Sequence, residues 1–370
     1  METVRVDLDD RSYDILIDHD CLSDLGRLYV ARGLGGQVAV VTNPTVASLY
    51  LDTVQKSLED AGVAVTVITV PDGEQYKTFE TAGQIHGDLI KAGLDRKACI
   101  VTLGGGVVGD MAGFVAATYL RGIDFVQVPT TLEAQVDASV GGKTAVDHAM
   151  GKNMIGAFHQ PKMVLMDTAT LQTLPEREVR AGLAEVVKHG IIRDVDLVEF
   201  LEEHIEGAAT LSLPVDQLNW LIAQQCRIKA GVVAADETEK GLREILNYGH
   251  TVGHALEVVT DYTHYKHGEA VCLGMLAAGF IAVEKGMWSQ DEFDRQNALL
   301  ERLGIPAGLA DLNIDDVLKR MASDKKARDG VIRFVLPEAI GGAVVPRDDV
   351  TQEEMLAGIR YMQRRAIEKS

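Results

Sequence analysis

The sequence has few of the features that mark secreted or disulfide-stabilised proteins. Its 370 residues include only four cysteines, Cys21, Cys99, Cys226 and Cys272, and no two of them stand in a CxxC spacing. Scattered cysteines of this kind are typical of reduced core residues in a cytosolic protein. Residues 1–10 carry four acidic side chains and no continuous apolar core of the kind that a signal peptide has, so we expect no signal peptide and a cytoplasmic location.

Positive charge is also scarce. The chain has 36 lysines and arginines against 55 aspartates and glutamates, which gives a formal net charge of -19. A field of this sign repels nucleic acids and anionic membrane surfaces, so neither is expected as a partner. An anionic substrate would therefore require a locally basic site.

Long apolar runs are missing as well. The longest one covers residues 270–283, fourteen residues between Glu269 and Glu284, whereas a membrane-spanning helix needs about 20. This run therefore predicts a buried helix and no membrane partner.

The apolar residues that are present, 46% of the chain, indicate a globular protein with room for two domains. Apolar runs at 4–8 and 13–17 predict a β-hairpin. Strands are then predicted at 37–41, 63–70, 98–103, 123–128 and 163–167, with helices at 46–58, 79–92 and 107–120. Alternation of this kind predicts a Rossmann-like α/β domain in which helices cover both faces of a parallel sheet.

The pattern of predicted secondary structure changes near residues 173–175. From there the sequence is mostly helical, with one late strand predicted at 331–336. We therefore expect an α/β domain at 1–174 and a mainly α-helical domain at 175–370, with a cleft between them as the usual place for a site.

Two glycine-rich segments suggest phosphate binding. The first, GGGVVGD at 104–110, follows a predicted strand and opens a helix, where free backbone N–H groups can meet a diphosphate; a tight strand–helix turn is the alternative. The second, at 137–144, ends in Gly-Gly-Lys-Thr, but a P-loop needs glycine where this chain has Asp137. We therefore reject an NTPase function.

Polar side chains recur at helical spacing between residues 243 and 254. Arg243, Asn247, His250 and His254 fall within roughly 60° of one another on a helical wheel, while apolar neighbours lie largely elsewhere. The pattern indicates a functional stripe on one helix, with a solvated polar face as the alternative.

Metal-binding residue types cluster in the same region. His250 and His254 at i,i+4 could bind one ion, but His264 and His267 follow, and Glu185 lies on another apolar helix predicted at 181–192. Glu185 with two histidines would leave one zinc position open for substrate oxygens. The spacing does not say which two histidines bind.

Cations near polar loops could offset the global negative charge and hold a phosphate. They are Arg121, Lys143, Lys152, Lys188, Lys229, Arg243, Lys325 and Lys326. Each alone is ordinary surface charge, except that Lys188 lies three residues after Glu185 in an apolar helix.

The sequence resembles the 3-dehydroquinate synthases. The matching stretches are PDGEQYK at 71–77, GGGVVGD at 104–110, PTTL at 129–132, QVDASVGGK at 135–143, RAGLAEVVKH at 180–189, NYGHTVGH at 247–254 and HGEA at 267–270. They extend over the chain from about residue 40 to 330, and several are specific to this family.

The resemblance implies a role for each matched position. The metal ligands would be Glu185, His250 and His267. The NAD contacts would be Asn43, Glu74, Lys77, Gly105, Gly106, Val107, Asp110, Thr130, Thr131, Leu132, Lys143, Lys152 and Thr173. The substrate and catalytic set would be Asp137, Lys143, Asn153, Lys188, Lys229, Arg243, Asn247, His254 and one of Lys325 and Lys326, with Arg121 reaching across a homodimer. Thr42 stands where some members place an aspartate near the adenosine ribose.

The implied activity is cyclisation of 3-deoxy-D-arabino-heptulosonate 7-phosphate to 3-dehydroquinate in the shikimate pathway, with NAD and a divalent metal, zinc or cobalt. It would proceed by oxidation of the C5 hydroxyl, loss of phosphate, return of the hydride and aldol closure. Three alternatives remain: a sister sugar-phosphate cyclase, a metal- and NAD-dependent polyol dehydrogenase of the same fold, and a non-enzymatic metal- or nucleotide-binding regulator.

Overall fold

The computed structural model describes residues 1–304, 312–325, 332–342 and 344–367. The chain divides into two compact units, Met1–Leu174 with Pro214–Thr238, and Pro175–Leu213 with Glu239–Ser370. The first unit thus includes a segment, 214–238, that the sequence division placed in the second half. The assignment of cofactor binding to residues 1–174 and of metal binding to residues 175–370 stays a prediction.

Strands and helices are numbered along the chain. The strands are β1 (Glu2–Val6), β2 (Tyr13–Asp18), β3 (Gln37–Thr42), β4 (Ala64–Thr69), β5 (Cys99–Gly104), β6 (Asp124–Pro129), β7 (Lys143–His148), β8 (Gly151–Phe158), β9 (Met163–Asp167), β10 (Phe334–Pro337) and β11 (Val344–Arg347). The α-helices are α1 (Leu25–Ala31), α2 (Pro44–Val46), α3 (Asp52–Asp60), α4 (Phe79–Lys91), α5 (Gly106–Thr118), α6 (Glu176–Arg193), α7 (Val195–Ala209), α8 (Val215–Ala235), α9 (His250–Val259), α10 (His267–Glu284), α11 (Gln290–Leu303), α12 (Ile314–Lys325) and α13 (Gln352–Ile367). Short 3-10 helices include Glu74–Tyr76, Tyr119–Arg121, Thr168–Thr173 and Leu242–Asn247, and π-helical turns cover Ala47–Leu51 and Ala134–Ala138.

The first unit is built on a seven-stranded sheet in the order β1-β2-β9-β6-β5-β3-β4. Its neighbouring strands are parallel except β1 and β2, which form the antiparallel hairpin predicted at the start of the chain. Strands β7 and β8 form a separate antiparallel hairpin. The predicted class, a Rossmann-like α/β domain followed by a mainly α-helical one, is confirmed.

Side chains of the central strands are buried on both faces of this sheet. Val38 and Val40 of β3 pack in one apolar cluster with α1 and α3, whereas Ala39 and Val41 pack in another with α4 and α5. Successive side chains of a strand point to opposite faces. Because helices cover both faces, the strands are continuous apolar runs in the sequence.

The strand order reverses at β3. The next strand in the chain, β4, lies on one side of β3, and β5 lies on the other. At such a point the connections leave in opposite directions and open a crevice at the carboxyl ends of the strands. Strand β3 ends at Thr42 and β5 ends at Gly104, so this crevice lies beside the glycine motif.

The second unit is mainly helical, as predicted. Helix α10 contacts α6, α9 and α13, and it contains the apolar run at 270–283. Among the described residues it is the one helix long and apolar enough to cross a membrane, but 72% of that window is buried inside the protein. The late strand predicted at 331–336 is observed as β10, paired with β11; residue 331 lies outside the described residues.

All four cysteines are buried free thiols that form no disulfide, as the sequence predicts. Burial raises the pKa of Cys21 and Cys226 to about 12 and raises those of Cys99 and Cys272 as well. The thiolate form that reacts with electrophiles is therefore suppressed in the folded chain.

Candidate functional site

The predicted cofactor loop joins β5 to α5 in the first unit. Gly105 precedes the first residue of α5, and a Cβ atom added to it would lie 2.9 Å from Cγ2 of Thr131, in the loop after β6. Thr130, beside it, is buried. The backbone of this loop therefore packs closely against the side chain of Thr131. It leads into the N-terminus of a 13-residue helix, a position whose free N–H groups favour anions.

A charged cluster lies beside this loop. Nζ of Lys77 donates to Oδ2 of Asp110 at 2.7 Å and to Oδ1 of Asn153 at 2.6 Å, and Nζ of Lys152 lies 3.2 Å from Oε1 of Glu74. Three segments far apart in sequence thus bring five predicted residues together. Asn153, which we expected to contact the substrate, is bonded to a residue of the predicted cofactor set.

Burial opposes charge on both partners of the Lys77–Asp110 pair. It raises the pKa of Asp110. Burial by itself would lower the pKa of Lys77, but the carboxylates of Asp110 and Glu74 outweigh this effect and raise the pKa to about 12. Because Lys77 faces two carboxylates, we conclude that its ammonium is charged at neutral pH.

At the crevice beside β3, Asn43 accepts from the backbone N–H of Val46 at 2.9 Å and begins α2. Its Nδ2 donates to Oδ1 of Asp72 at 3.1 Å, and Thr45 donates to the other oxygen at 2.9 Å. An acidic group therefore stands near the end of β3 although Thr42 does not supply it. Sequence reasoning quoted Asp72 within a motif but gave it no role.

The remaining members of the predicted cofactor set lie on the same unit. Val107 is in the first turn of α5, and Leu132 is buried in the loop after β6. Oγ1 of Thr173 lies 2.6 Å from the hydroxyl of Tyr50. Lys143 begins β7 and is exposed.

Two predicted substrate residues of the first unit form an ion pair. Nζ of Lys229, on α8, lies 2.6 Å from Oδ1 of Asp137 and donates to its carbonyl oxygen at 2.6 Å. Arg121 is exposed at the end of a 3-10 helix, and both it and Leu120 have left-handed backbones, with φ of 73° and 50°. Left-handed conformations cost about 1–2 kcal/mol per non-glycine residue, so this corner is strained.

Three possible metal ligands from three helices converge in the second unit. Nε2 of His250 on α9 and Nε2 of His267 on α10 each lie 3.7 Å from Oε1 of Glu185 on α6. Glu185 is fully buried, and its Oε1 has no hydrogen-bond partner among the described residues. Its Oε2 accepts from Nζ of Lys188. Two ligand atoms on one tetrahedral zinc lie roughly 3.4 Å apart, so this spacing suits a divalent cation.

Each of the two histidines is oriented through its other ring nitrogen. Nδ1 of His250 lies 3.1 Å from the carbonyl oxygen of Tyr248, and Nδ1 of His267 lies 3.2 Å from Oε2 of Glu257. Sequence reasoning missed Glu257; the signal available was a carboxylate in an otherwise apolar helical run. Burial lowers the pKa of His250 well below its usual range, and Lys188 acts in the same direction, so the imidazole is neutral, as metal binding requires.

His254 is also close to this cluster. A ring nitrogen of His254 lies within 4.8 Å of nitrogens of His250 and His267, and its ring stacks on that of His267 with centroids 5.7 Å apart. The assignment of His254 to the substrate and not to the metal therefore stays a prediction.

Glycines allow the three helices to approach closely. A Cβ atom at Gly268 would lie 1.9 Å from the carbonyl oxygen of Ala181 on α6, and one at Gly274 would lie 1.8 Å from the carbonyl oxygen of Gly249. Helix α10 therefore packs backbone to backbone against α6 and against the start of α9. This contact brings together ligands that are far apart in the sequence.

The single helix predicted for residues 243–254 is wrong. The chain forms the 3-10 helix Leu242–Asn247 and then begins α9 at His250. Gly249 between them is left-handed, with φ of 80°, and a Cβ atom there would lie 2.8 Å from the carbonyl oxygen of Val271. Only glycine can adopt a left-handed backbone and fit against this carbonyl oxygen without strain. The helical turn of residues 242–247 therefore does not continue into α9.

Arg243 and Asn247 therefore share no helix face with the histidines. Arg243 is 1% exposed, and Nδ2 of Asn247 donates to Oε1 of Glu239 at 3.1 Å. The side chain of Lys325, the last residue of α12, and the whole of Lys326 lie outside the described residues. A cavity of about 260 Å³ in this unit is lined by other residues, among them Arg177 and Glu269.

Comparisons with known proteins agree with the resemblance seen in the motifs. The family models described as 3-dehydroquinate synthase N-terminal and C-terminal match residues 67–181 and 182–327. A 3-dehydroquinate synthase from Pelobacter propionicus is 50% identical over 356 residues, which cover 96% of this chain and 98% of that protein.

Two solved structures are similar over almost the whole chain. A 2-epi-5-epi-valiolone synthase from Streptomyces hygroscopicus, with NAD+ and Zn2+ bound, has a TM-score of 0.88 and 28% identity, covering 97% of this chain and 99% of that one. A 2-deoxy-scyllo-inosose synthase complexed with carbaglucose-6-phosphate, NAD+ and Co2+ has a TM-score of 0.85 and 26% identity, covering 98% and 100%. The chain belongs to the 3-dehydroquinate synthase family.

Proposed function

We propose that this chain converts 3-deoxy-D-arabino-heptulosonate 7-phosphate to 3-dehydroquinate and phosphate, as a carbon–oxygen lyase of the shikimate pathway that uses NAD and a divalent metal, zinc or cobalt. The observation that carries the proposal is the carboxylate with two imidazoles, Glu185, His250 and His267, in a chain of this family. NAD+ with zinc or cobalt is bound by the two structurally similar synthases.

The residues present fit a metal. A buried carboxylate oxygen without a hydrogen-bond partner among the described residues faces two Nε2 atoms at 3.7 Å. One carboxylate and two imidazoles are a usual donor set of catalytic zinc sites, which keep a further position open for substrate. Lys188 holds the second oxygen of Glu185, so only Oε1 points to the metal position.

The residues of the first unit fit NAD. The N-terminus of α5 has free backbone N–H groups that suit a diphosphate, and the crevice at the reversal of strand order is where dinucleotides bind in such sheets. Asp72 stands at the end of this crevice, held by Asn43 and Thr45, where an acidic group would accept from a ribose hydroxyl. A metal held by Glu185, His250 and His267 would lower the pKa of the C5 hydroxyl, and NAD held by the first unit would supply the hydride acceptor for that carbon.

The side chains themselves bind and orient the substrate. Arg243 and Lys229 are proposed to bind the carboxylate of the substrate, and the guanidinium fork of Arg243 matches both carboxylate oxygens. The rest of the proposed substrate set is Lys188, Asn247 and His254 in the second unit and Asp137 in the first. Orientation of one flexible substrate through several steps contributes more than a dedicated base, since the departing phosphate can itself take the C6 proton.

The remaining proposed contacts are Asn153, Lys143 and one of Lys325 and Lys326. Asn153 already accepts from Lys77, so it would connect the cofactor cluster to the substrate. Alanine substitution of Lys325 and of Lys326, one at a time, should weaken substrate binding in only one of the two variants.

A homodimer is proposed with its interface near Arg121. The neighbouring Leu120 is 38% exposed and Phe158 is 47% exposed. The chain segments that carry these two side chains contact each other, since Nε2 of His159 lies 2.8 Å from the carbonyl oxygen of Ile123. An association of two copies at this surface would cover both apolar side chains and bring Arg121 to a neighbouring chain. A cytoplasmic location is proposed from the reduced, buried cysteines.

The test incubates the protein with the heptulosonate phosphate, NAD and Zn2+ or Co2+ while phosphate and NADH are followed together. Phosphate should appear in step with substrate loss, with no matching rise in NADH absorbance. Steady NADH production would favour a polyol dehydrogenase, and equal turnover of glucose 6-phosphate would favour a sister cyclase. Binding of NAD and metal without turnover of any such substrate would favour a regulator.

A further inference from the structure

Helix α9 carries a third polar residue on the face that holds His250 and His254. Glu257 follows them at i+7 and i+3, so the three side chains lie one above another along the helix. Glu257 is 3% exposed. A carboxylate is expensive to bury unless it is paired or hydrogen-bonded, so a specific interaction must keep it there.

That interaction involves His267, at the start of α10. Oε2 of Glu257 lies 3.2 Å from Nδ1 of His267, while Nε2 of the same ring lies 3.7 Å from Oε1 of Glu185. The imidazole is thus held between two buried carboxylates from two other helices. Glu185 approaches the nitrogen that faces the metal position, and Glu257 approaches the opposite one.

The other candidate ligand shows the same arrangement with a different acceptor. Nδ1 of His250 meets the carbonyl oxygen of Tyr248 at 3.1 Å, and its Nε2 lies 3.7 Å from Oε1 of Glu185. Carbonyls and carboxylates only accept hydrogen bonds, so each places the proton on Nδ1 and leaves the lone pair on Nε2. The two rings differ in that a neutral group fixes one and a charged group fixes the other.

We propose that Glu257 is a positioning residue for the metal centre: it fixes the tautomer and orientation of His267 and, through its charge, strengthens the bond from Nε2 to the metal. The inference rests on the metal site of the proposed function. A carboxylate behind a ligating imidazole raises its basicity, and loss of such a group weakens metal binding by about 10- to 100-fold. The acceptor behind His250 is a backbone carbonyl, which substitution cannot remove, whereas the acceptor behind His267 is a side chain whose removal can be tested.

The experiment measures Co2+ binding to the full chain by competition with a chromogenic chelator. Glu257→Leu removes the acceptor while keeping apolar bulk, and Glu257→Gln keeps an oxygen that can accept from Nδ1 but removes the charge. We expect the leucine variant to bind Co2+ about 10- to 100-fold more weakly and the glutamine variant to fall between it and the wild type. The control is Glu202→Gln, which removes the same charge from a carboxylate of the same unit that is bonded to Arg295 at 2.7 and 2.9 Å; its affinity should not change.

A second measurement reports the tautomer directly. Nitrogen-15 shifts of His267 in metal-free protein should show a proton on Nδ1 in the wild type and in Glu257→Gln, and a mixture of tautomers in Glu257→Leu. Wild-type Co2+ affinity in Glu257→Leu, or an unchanged tautomer there, would overturn the proposal, as would a loss of thermal stability with no change in affinity. These readouts require no turnover, so they stand apart from the assay of the proposed function. A wild type whose Co2+ affinity depends on Glu257 but which does not release phosphate would refute only the activity.

Discussion

Substitution of Gly268 by alanine should open the metal site without touching a ligand. The added Cβ would lie 1.9 Å from the carbonyl oxygen of Ala181, whereas ordinary contact begins at 3.4 Å. The difference between these distances, 3.4 minus 1.9, means that α10 and α6 must separate by about 1.5 Å. The obstructing atom is backbone, so no side chain can rotate away to relieve the contact.

This separation is large on the scale of a coordination sphere. His267 precedes Gly268 and would move with it, so its distance of 3.7 Å to Glu185 would grow to roughly 5 Å. Two atoms bound to the same zinc at 2.0–2.2 Å cannot be more than about 4.4 Å apart. The variant should therefore lose most of its metal affinity, and the overpacking should cost about 1–3 kcal/mol in the free energy of unfolding.

The assay is metal content after equilibrium dialysis against Zn2+, together with thermal unfolding of the metal-free protein. Gly83→Ala is the matched control, because Gly83 lies in α4 and a Cβ there would meet nothing within 4 Å. That variant should keep the metal and gain up to about 1 kcal/mol of stability. Wild-type metal content in a folded Gly268→Ala variant would refute the argument that this contact sets the ligand spacing.

Other expectations follow from the site and from the core. Glu185→Gln and His267→Ala should lose metal and activity together, whereas His254→Ala should keep the metal. If His254→Ala loses the metal while His267→Ala keeps it, then His254 and not His267 is the metal ligand. Arg243→Ala should lower kcat/KM for the heptulosonate phosphate by roughly tenfold or more, the worth of one charge-assisted bond, and should erase the preference for this acid over glucose 6-phosphate. Mixed dimers of Arg121→Ala and Glu185→Gln subunits should regain part of the activity that each lacks alone, and verified heterodimers without rescue would show that each chain is complete. Burial raises the pKa of all four thiols, to about 12 at Cys21 and Cys226. Iodoacetamide should therefore modify the cysteines only after unfolding, as mass spectrometry would show, and the protection should last as pH rises through the alkaline range until the chain unfolds.

The fold of the first unit could be predicted because its signals are local. Strand β5 is a short apolar run, and the helix after it is apolar along most of its length. The bounds predicted from the sequence, 98–103 and 107–120, therefore lie within one or two residues of those of β5 and α5. Membership of a unit is not local. Helix α8 packs against β1, more than two hundred residues earlier in the chain, and its own periodicity gives no indication of which unit receives that face.

The prediction that residues 243–254 form one helix was wrong for a related reason. The angular argument assumed one continuous helix from Arg243 to His254, but Gly249 takes a left-handed conformation against the backbone of α10. A glycine within a helical pattern is tolerated or is a break, and the neighbouring element decides which. The part of the stripe on one side of the break, His250 and His254, does share a face, and it continues to Glu257 instead of back to Arg243.

Residue chemistry was a better guide to the metal centre than periodicity. Glu185 and Lys188 were singled out because charged side chains in an apolar helix need a reason, and both proved fully or almost fully buried, in an ion pair. The same rule applied to the run at 252–259 would have singled out Glu257, the one charged residue among apolar ones there. A buried carboxylate, however, needs a partner of its own. For Glu257 that partner is Nδ1 of His267. Through this contact a residue of α9 orients a candidate metal ligand that belongs to α10.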